Sequence, residues 1–244
     1  MEIVIKPDLV ALSEYAAELF VARAGADTEN GGRFSVALSG GSTPKELYRL
    51  LASASVRGRI DWAAVYFFFS DERCVPPDSP ESNYRMADET LLTPLEVPDS
   101  NIFRWHGEEK PEKAAADYEF EIKSFFRSDM PVFDLVLLGM GSDGHTASLF
   151  PHSPALHESE SLAVSNWVEK LNSFRLTFTY RLINNAANVM FLVAGKDKAE
   201  VLARVLRGEG RVEELPSRGV QPEDGNLIWA VDASAASLLN TDEI

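Results

Sequence analysis

The chain has 244 residues, is 45% hydrophobic and carries a formal net charge of −15 with a single cysteine, Cys74. That apolar content can fill an enzyme-sized core, no apolar run is long enough to span a bilayer, and the charge disfavours nucleic acid and acidic membrane surfaces as partners. One cysteine excludes an internal disulfide framework and suits a reducing compartment.

The N-terminal segment has no basic stretch leading into a clean apolar one, so no secretory signal is expected. Residues 3–5 read as a first strand, and residues 9–24 have helical apolar spacing. Phe34–Leu38 reads as a strand and residues 44–51 as a helix. Between them stands Ser39-Gly40-Gly41-Ser42-Thr43-Pro44. Its glycines permit unusual backbone angles, Ser42 or Thr43 can cap the helix, and Pro44 suits the first helical position. Free N–H groups of Gly40, Gly41, Ser42 and Thr43 at a positive helix end form a ready phosphate or carboxylate site. Taken alone, the segment reads equally well as an ordinary capped helix. It is not a Walker A loop, because the glycine-lysine-hydroxyl order is missing.

Val65–Phe69 reads as a strand that ends in Ser70-Asp71-Glu72-Arg73. Charges at a strand end are usually just solvated. Here Arg73 offers a planar fork for phosphate or carboxylate, and Asp71 can receive or orient a proton. Cys74 has no histidine dedicated to it and reads as a packing residue. An irregular stretch, 76–83, leads to expected helices at 84–92 and 114–126.

Residues 132–138 form a short apolar strand that stops at a glycine-rich turn holding Asp143 and His145. A helical turn is expected at 146–150, closed by Pro151. A carboxylate and an imidazole are thus presented at the C-terminal end of a strand, where open α/β sheets bind ligands. Histidine is also suited to proton transfer near neutral pH. Gly139, Gly141 and Gly144 match G-x-G-x-x-G, but the context is wrong for a dinucleotide. Pro151 cuts the following helix short, no acid-tipped strand follows, and Asp143 would face a pyrophosphate. Residues 175–179 and 189–193 read as strands, 198–206 as a helix, 227–231 as a strand and 233–239 as a final helix. Loops are expected at 151–156 and 208–225. Such alternation implies a mostly parallel sheet covered on both faces. His145, His152, His157 and Cys74 lack metal-ligand spacing, and His106, His152 and His157 read as solvent-facing.

In order and spacing, SGGSTPKELY, SDERCVPPDSPESNY and FDLVLLGMGSDGHTASLFP resemble the 6-phosphogluconolactonase family, part of a superfamily shared with glucosamine-6-phosphate isomerases. RLTFTYRLINNA, VMFLVAGKDKA and WAVDASAASLL fit as well, so the resemblance runs from about residue 5 to 239. It implies a three-layer α/β/α fold of sugar-phosphate isomerase type, with residues 1–244 as one domain. It implies hydrolysis of 6-phospho-D-glucono-1,5-lactone to 6-phosphogluconate, a cytoplasmic step of the pentose phosphate pathway, with no metal or nucleotide cofactor. The expected partner is the small sugar-phosphate lactone, and a monomer is expected.

Carried onto this sequence, His145 looks like the base that activates water. Asp143 orients the imidazole or faces the sugar hydroxyls. Gly40, Gly41, Ser42, Thr43 and Arg73 look like the phosphate clamp, with Asp71 beside them in the substrate site. Lys170 and Arg175 match the family's basic pair, for phosphate or for the developing oxyanion, and N–H groups around Gly141 are a further oxyanion candidate. The family usually follows that lysine with prolines. Here the order is Lys170-Leu171-Asn172-Ser173-Phe174-Arg175, so the charges are kept without the stiffness.

Two other readings fit less well. Amino-sugar-phosphate isomerases resemble the chain at G-x-D-G-H but typically continue I-A-F-N-E-P with an acid. This chain continues Thr146-Ala147-Ser148-Leu149-Phe150-Pro151, and has Arg73 where those enzymes usually place an aromatic. A sugar-phosphate sensor of the kind found in transcription regulators would need a basic DNA-binding segment, which is not seen.

Overall fold

Six of the apolar runs pair into one parallel sheet. In the computed structural model, which describes residues 1–28 and 31–240, the chain runs β1 (Glu2–Lys6), α1 (Leu9–Thr28), β2 (Phe34–Leu38), α2 (Ser42–Leu51), β3 (Val65–Phe69), β4 (Asp71–Arg73), α3 (Asn83–Ala87), α4 (Pro111–Phe126), β5 (Leu135–Leu138), β6 (Ala163–Val168), β7 (Ser173–Phe178), α5 (Tyr180–Ile183), β8 (Asn188–Val193), α6 (Ala199–Leu206) and β9 (Asn226–Asp232). The expected single domain, residues 1–244, also takes in positions outside the described residues. The main sheet has the order β1-β9-β8-β5-β2-β3, with every pair parallel. Its central strands β2, β5 and β8 are buried along their whole length. That is why they read as unbroken apolar runs rather than alternating ones. α1 and α2 pack together, and the right-handed rule for crossovers between parallel strands puts them on one face and the connections carrying α4 and α6 on the other. The result is the three-layer α/β/α arrangement.

This topology positions the site. From β2 the chain steps outward through α2 to β3. From β5 it steps the opposite way, to β8. The strand order therefore reverses between β2 and β5, and ligands bind beyond the carboxyl ends of strands at such a reversal. The glycine loop follows β2, and the turn with Asp143 and His145 follows β5.

A second sheet, β4-β7-β6, is antiparallel. The strand expected at 175–179 belongs to it, as β7. Ser70 joins the two sheets. Its N–H donates to the Leu38 carbonyl of β2 at 2.8 Å, and its own carbonyl accepts from Phe178 N–H at 2.8 Å. Asp71, Glu72 and Arg73 are therefore a strand in their own right, not a solvated end. The core at this junction is aromatic: Phe68 stacks on Phe103 at 4.5 Å and meets Phe133 edge-on at 5.0 Å.

Several expectations are corrected. Residues 146–150 are a turn, not helix. Ala147 takes a left-handed φ of 47°, and Ser148 N–H leaves for the Thr177 hydroxyl at 3.1 Å. The helix expected at 233–239 is a 3₁₀ turn, Ala235–Leu238. The helix expected at 84–92 divides into α3 and a π-helical turn, Asp88–Leu92. The loops at 151–156 and 208–225 contain 3₁₀ turns, Pro154–His157 and Pro216–Gly219.

Candidate active site

The N-terminus of α2 is open. Gly41 holds the position before the helix with φ 107° and ψ 170°, and no side chain caps it. Ser42 and Thr43, expected as caps, lie inside the first turn, and Pro44 is its third residue rather than its first. Lys45 N–H bonds back to the Gly41 carbonyl at 3.2 Å. Among the described residues, no acceptor meets the N–H groups of Gly40, Gly41, Ser42 or Thr43. Such orphan donors, added to the helix dipole, favour an anion. Behind them the buried Tyr48 hydroxyl accepts from Ser39 N–H at 2.9 Å and donates to the Ser39 carbonyl at 2.8 Å, fixing the loop's origin.

The turn after β5 closes on itself. Gly141 N–H donates to the His145 carbonyl at 2.9 Å, and Gly144 N–H to the Gly141 carbonyl at 3.0 Å. Gly144 needs its φ of 79° to do so. Its carbonyl is held by Ser217, through N–H at 2.8 Å and the hydroxyl at 2.9 Å. Thr146 Oγ1 donates to the Gly139 carbonyl at 2.8 Å. His145 Nδ1 lies 2.5 Å from Asp143 Oδ1, and the imidazole stacks on Phe150 with ring centroids 4.2 Å apart. Facing a carboxylate, Nδ1 carries the hydrogen, which leaves the Nε2 lone pair available. Lys170 Nζ reaches the other Asp143 oxygen at 3.1 Å. Burial raises the Asp143 carboxyl, but the hydrogen bond and charge of His145, with Lys170 behind them, outweigh burial and hold it well below the usual carboxylate range.

The third wall comes from β4 and β7. Asp71 is 7% exposed. Its Oδ2 accepts from Ser148 Oγ at 2.7 Å, and its Oδ1 from Asn83 Nδ2 at 3.2 Å. Glu72 points away from the cleft and receives Arg73 N–H, Asn83 N–H and Tyr84 N–H, each at 2.8 Å, and Ser82 Oγ at 3.0 Å. Arg73 and Arg175 stand directly opposite each other across the strand pair. Like charges so placed repel. Burial, and then Arg73, lower the Arg175 guanidinium below its ordinary value. Neither arginine pairs with a carboxylate among the described residues. Arg73 Nη1 donates to the Glu81 carbonyl, and Arg175 Nη1 to Ser173 Oγ at 2.9 Å and the Phe174 carbonyl at 3.0 Å. Two aligned guanidinium groups with no carboxylate hydrogen-bonded to them suit an anion or a developing negative charge.

These walls enclose a cleft with two lobes. One, of about 260 Å³, is lined by Gly40, Gly41, Ser42, Thr43 and Gly141. The other, of about 280 Å³, is lined by Asp143, Lys170 and Arg175. Asp71, Arg73 and His145 border both. All eleven residues singled out in the sequence thus meet here. Two of them stand differently from expectation. The N–H of Gly141 is spent on the His145 carbonyl, so its role is to admit the dyad: an added Cβ would land on the His145 ring and within 2.7 Å of Asp143 Oδ1. Lys170, 70% exposed, meets the acid of the dyad rather than standing free for substrate. Asn83, Ser148 and Lys198 also line the cleft and are not singled out by the sequence. Lys198 lies in the VAGKDKA stretch after β8, which carried a signal. A lone amide and a lone serine in polar loops carried none. Among the described residues, no group of three or more His, Cys, Asp or Glu is placed to hold a metal ion. Among the described residues, no helix is long and apolar enough to cross a membrane. Cys74 is half-buried, and burial pushes its thiol up to about 11.

Residues 7–229 match the family model described as glucosamine-6-phosphate isomerases/6-phosphogluconolactonase. The chain is 40% identical over 241 residues to a 6-phosphogluconolactonase of Nostoc sp., covering 97% of each protein. It is 44% identical over 213 residues to one from Synechocystis sp., covering 85% of each. Its fold superposes on the solved structure of 6-phosphogluconolactonase from Trypanosoma cruzi with a TM-score of 0.86 at 31% identity, spanning 98% of this chain and 97% of that one.

Proposed function

The chain belongs to the glucosamine-6-phosphate isomerase/6-phosphogluconolactonase family, and from that premise we propose that it hydrolyses 6-phospho-D-glucono-1,5-lactone to 6-phosphogluconate by general-base activation of water. The observation that carries this reading is the pair His145 and Asp143, 2.5 Å apart, bordering a cleft whose far end is the uncapped α2 terminus.

The phosphate sits on the open N–H groups of residues 40–43, with Lys198 closing that lobe. The lactone carbonyl then lies toward His145. Nε2 takes a proton from water as the water oxygen bonds to C1. Asp143, accepting from Nδ1–H, holds the imidazole in the needed tautomer and balances the imidazolium. Lys170 holds the second Asp143 oxygen and so keeps the carboxylate turned to the ring. The tetrahedral oxyanion meets Arg175, with Arg73 between the two lobes. Collapse breaks the bond from C1 to the ring oxygen, which takes the proton back from Nε2. Atoms and charge balance with no redox step. The reaction belongs, in this proposal, to the pentose phosphate pathway, which the lactonase names of the relatives support, and takes place in the cytoplasm.

The isomerase alternative lacks support at the loop after His145, where Thr146 to Pro151 supply no acid. Freshly generated lactone, with product followed through 6-phosphogluconate dehydrogenase, tests the proposal against spontaneous hydrolysis. His145→Ala should lower kcat ~10²–10⁴-fold while substrate still binds through its phosphate. A folded wild type that does not accelerate hydrolysis would sink the assignment. A fully active His145→Ala would sink the base.

A further inference from the structure

Asn83 opens α3 at the wall of the phosphate lobe and is 3% exposed. Its side chain has one allowed orientation. Nδ2 donates to the Asp71 carbonyl at 3.0 Å and to Asp71 Oδ1 at 3.2 Å. Both partners are pure acceptors, so a flipped amide would set oxygen against oxygen. Oδ1 is therefore turned away from Asp71. Among the described residues no donor meets it. Yet among the described residues no fully buried side-chain oxygen or nitrogen lacks a partner, so Oδ1 reaches open space, and the space Asn83 lines is the cleft. Gly40 lies against it. A Cβ on Gly40 would fall on this amide oxygen, so glycine at that position is what admits the group.

An acceptor that opens into a binding cleft without a protein donor is served by water until a ligand displaces that water, and the ligand must then supply a donor or leave it unmet. A phosphate oxygen cannot, since it is itself an acceptor. A hydroxyl can. Gly40, on one side of Asn83, belongs to the anion loop. Asp71, on the other, borders the lobe of the dyad. We infer that Asn83 is a specificity-determining residue whose Oδ1 accepts a hydrogen bond from a ring hydroxyl of the bound sugar, between the phosphate-bearing carbon and the lactone carbonyl. This rests on the lactonase reading above.

Selectivity follows from the chemistry. A site built to pair with a substrate hydroxyl rejects the analogue that lacks it, because the protein group is then left unmet. The test compares kcat/KM for the parent lactone phosphate with its 2-deoxy, 3-deoxy and 4-deoxy forms. In the wild type, one deoxy form should fall about 10-fold or more behind the parent. In Asn83→Ala the parent should slow while that deoxy form does not, closing the gap. If Asn83→Ala does not fold, Asn83→Ser, which keeps a small donor near Asp71, replaces it. An active wild type that treats all four lactones alike overturns the inference and leaves the lactonase reading standing. So does a folded variant whose gap is unchanged. A folded wild type inactive on every lactone overturns both.

Discussion

Gly141 shapes the proposed catalytic dyad by what it lacks. The His145 ring and the Asp143 carboxylate occupy the place where its Cβ would stand. Gly141→Ala should therefore fold but displace the dyad. A shift of about 1 Å costs roughly 10²-fold in rate, so kcat should fall by that order with KM little changed in steady-state kinetics. An unaltered kcat would show that the dyad tolerates displacement. Asp143 gives a second test, through pH. Its folded carboxyl is depressed, so its interactions add stability above the unfolded value of ~3.9. That stability is lost as pH falls through the folded value. The urea midpoint of the wild type should exceed that of Asp143→Asn near neutrality, and the gap should shrink steadily below about pH 4. A gap independent of pH would mean that the pairs with His145 and Lys170 contribute nothing. Asn83 marks the other side of this scale. A single amide among polar loop residues has no pattern, and its role exists only once Gly40, Asp71 and the cleft surround it.

At the scale of elements, the second sheet frames the loop that follows His145. Buried Asn166 on β6 donates to the Ser148 carbonyl at 2.8 Å and to Ser153 Oγ at 2.9 Å, and accepts from Ala155 N–H at 3.2 Å. Thr177 on β7 takes Ser148 N–H. Glu72 on β4 serves α3 in the same way, receiving two of its first N–H groups and the Ser82 hydroxyl that caps it. Glu72→Ala would leave those buried donors without partners, at a cost of about 3 kcal/mol. Urea unfolding of the variant should show that loss, and a change within experimental error would mean that water replaces the carboxylate. The main sheet was legible because its central strands are buried on both faces and so appear as apolar runs. The second sheet was not. β6 spells AVSNWV, and its buried Asn166 looks like a loop residue until the Ser148 carbonyl is beside it. Residues 146–150 have helical spacing, yet the Thr177 hydroxyl, far along the chain, captures the Ser148 N–H and turns the backbone aside. Local pattern reports local preference, and these partners are distant in sequence.

The whole molecule sets a strongly acidic chain around a cationic cleft. Formal charge is −15, while Arg73, Arg175, Lys170 and Lys198 gather at one end of the sheet. They come from β4, β7, the β6–β7 connection and the segment after β8, so no single stretch of sequence carries the positive site. The open start of α2 adds a thermodynamic consequence. Four backbone donors without protein partners mean that the helix is finished by whatever anion arrives. Under the proposed function, the substrate's phosphate is then part of the folded state's own stability as well as cargo. Anion occupancy at 100 times its dissociation constant adds about 2.7 kcal/mol to unfolding, worth roughly several degrees in Tm for a chain of this size. Inorganic phosphate should raise Tm by that amount over chloride at matched ionic strength, and less so in Gly40→Ala. Equal melting in both salts would mean that water alone completes the helix. A cell rich in sugar phosphates would then be chaperoning this protein with its own substrate pool, coupling the protein's lifetime to the flux it serves.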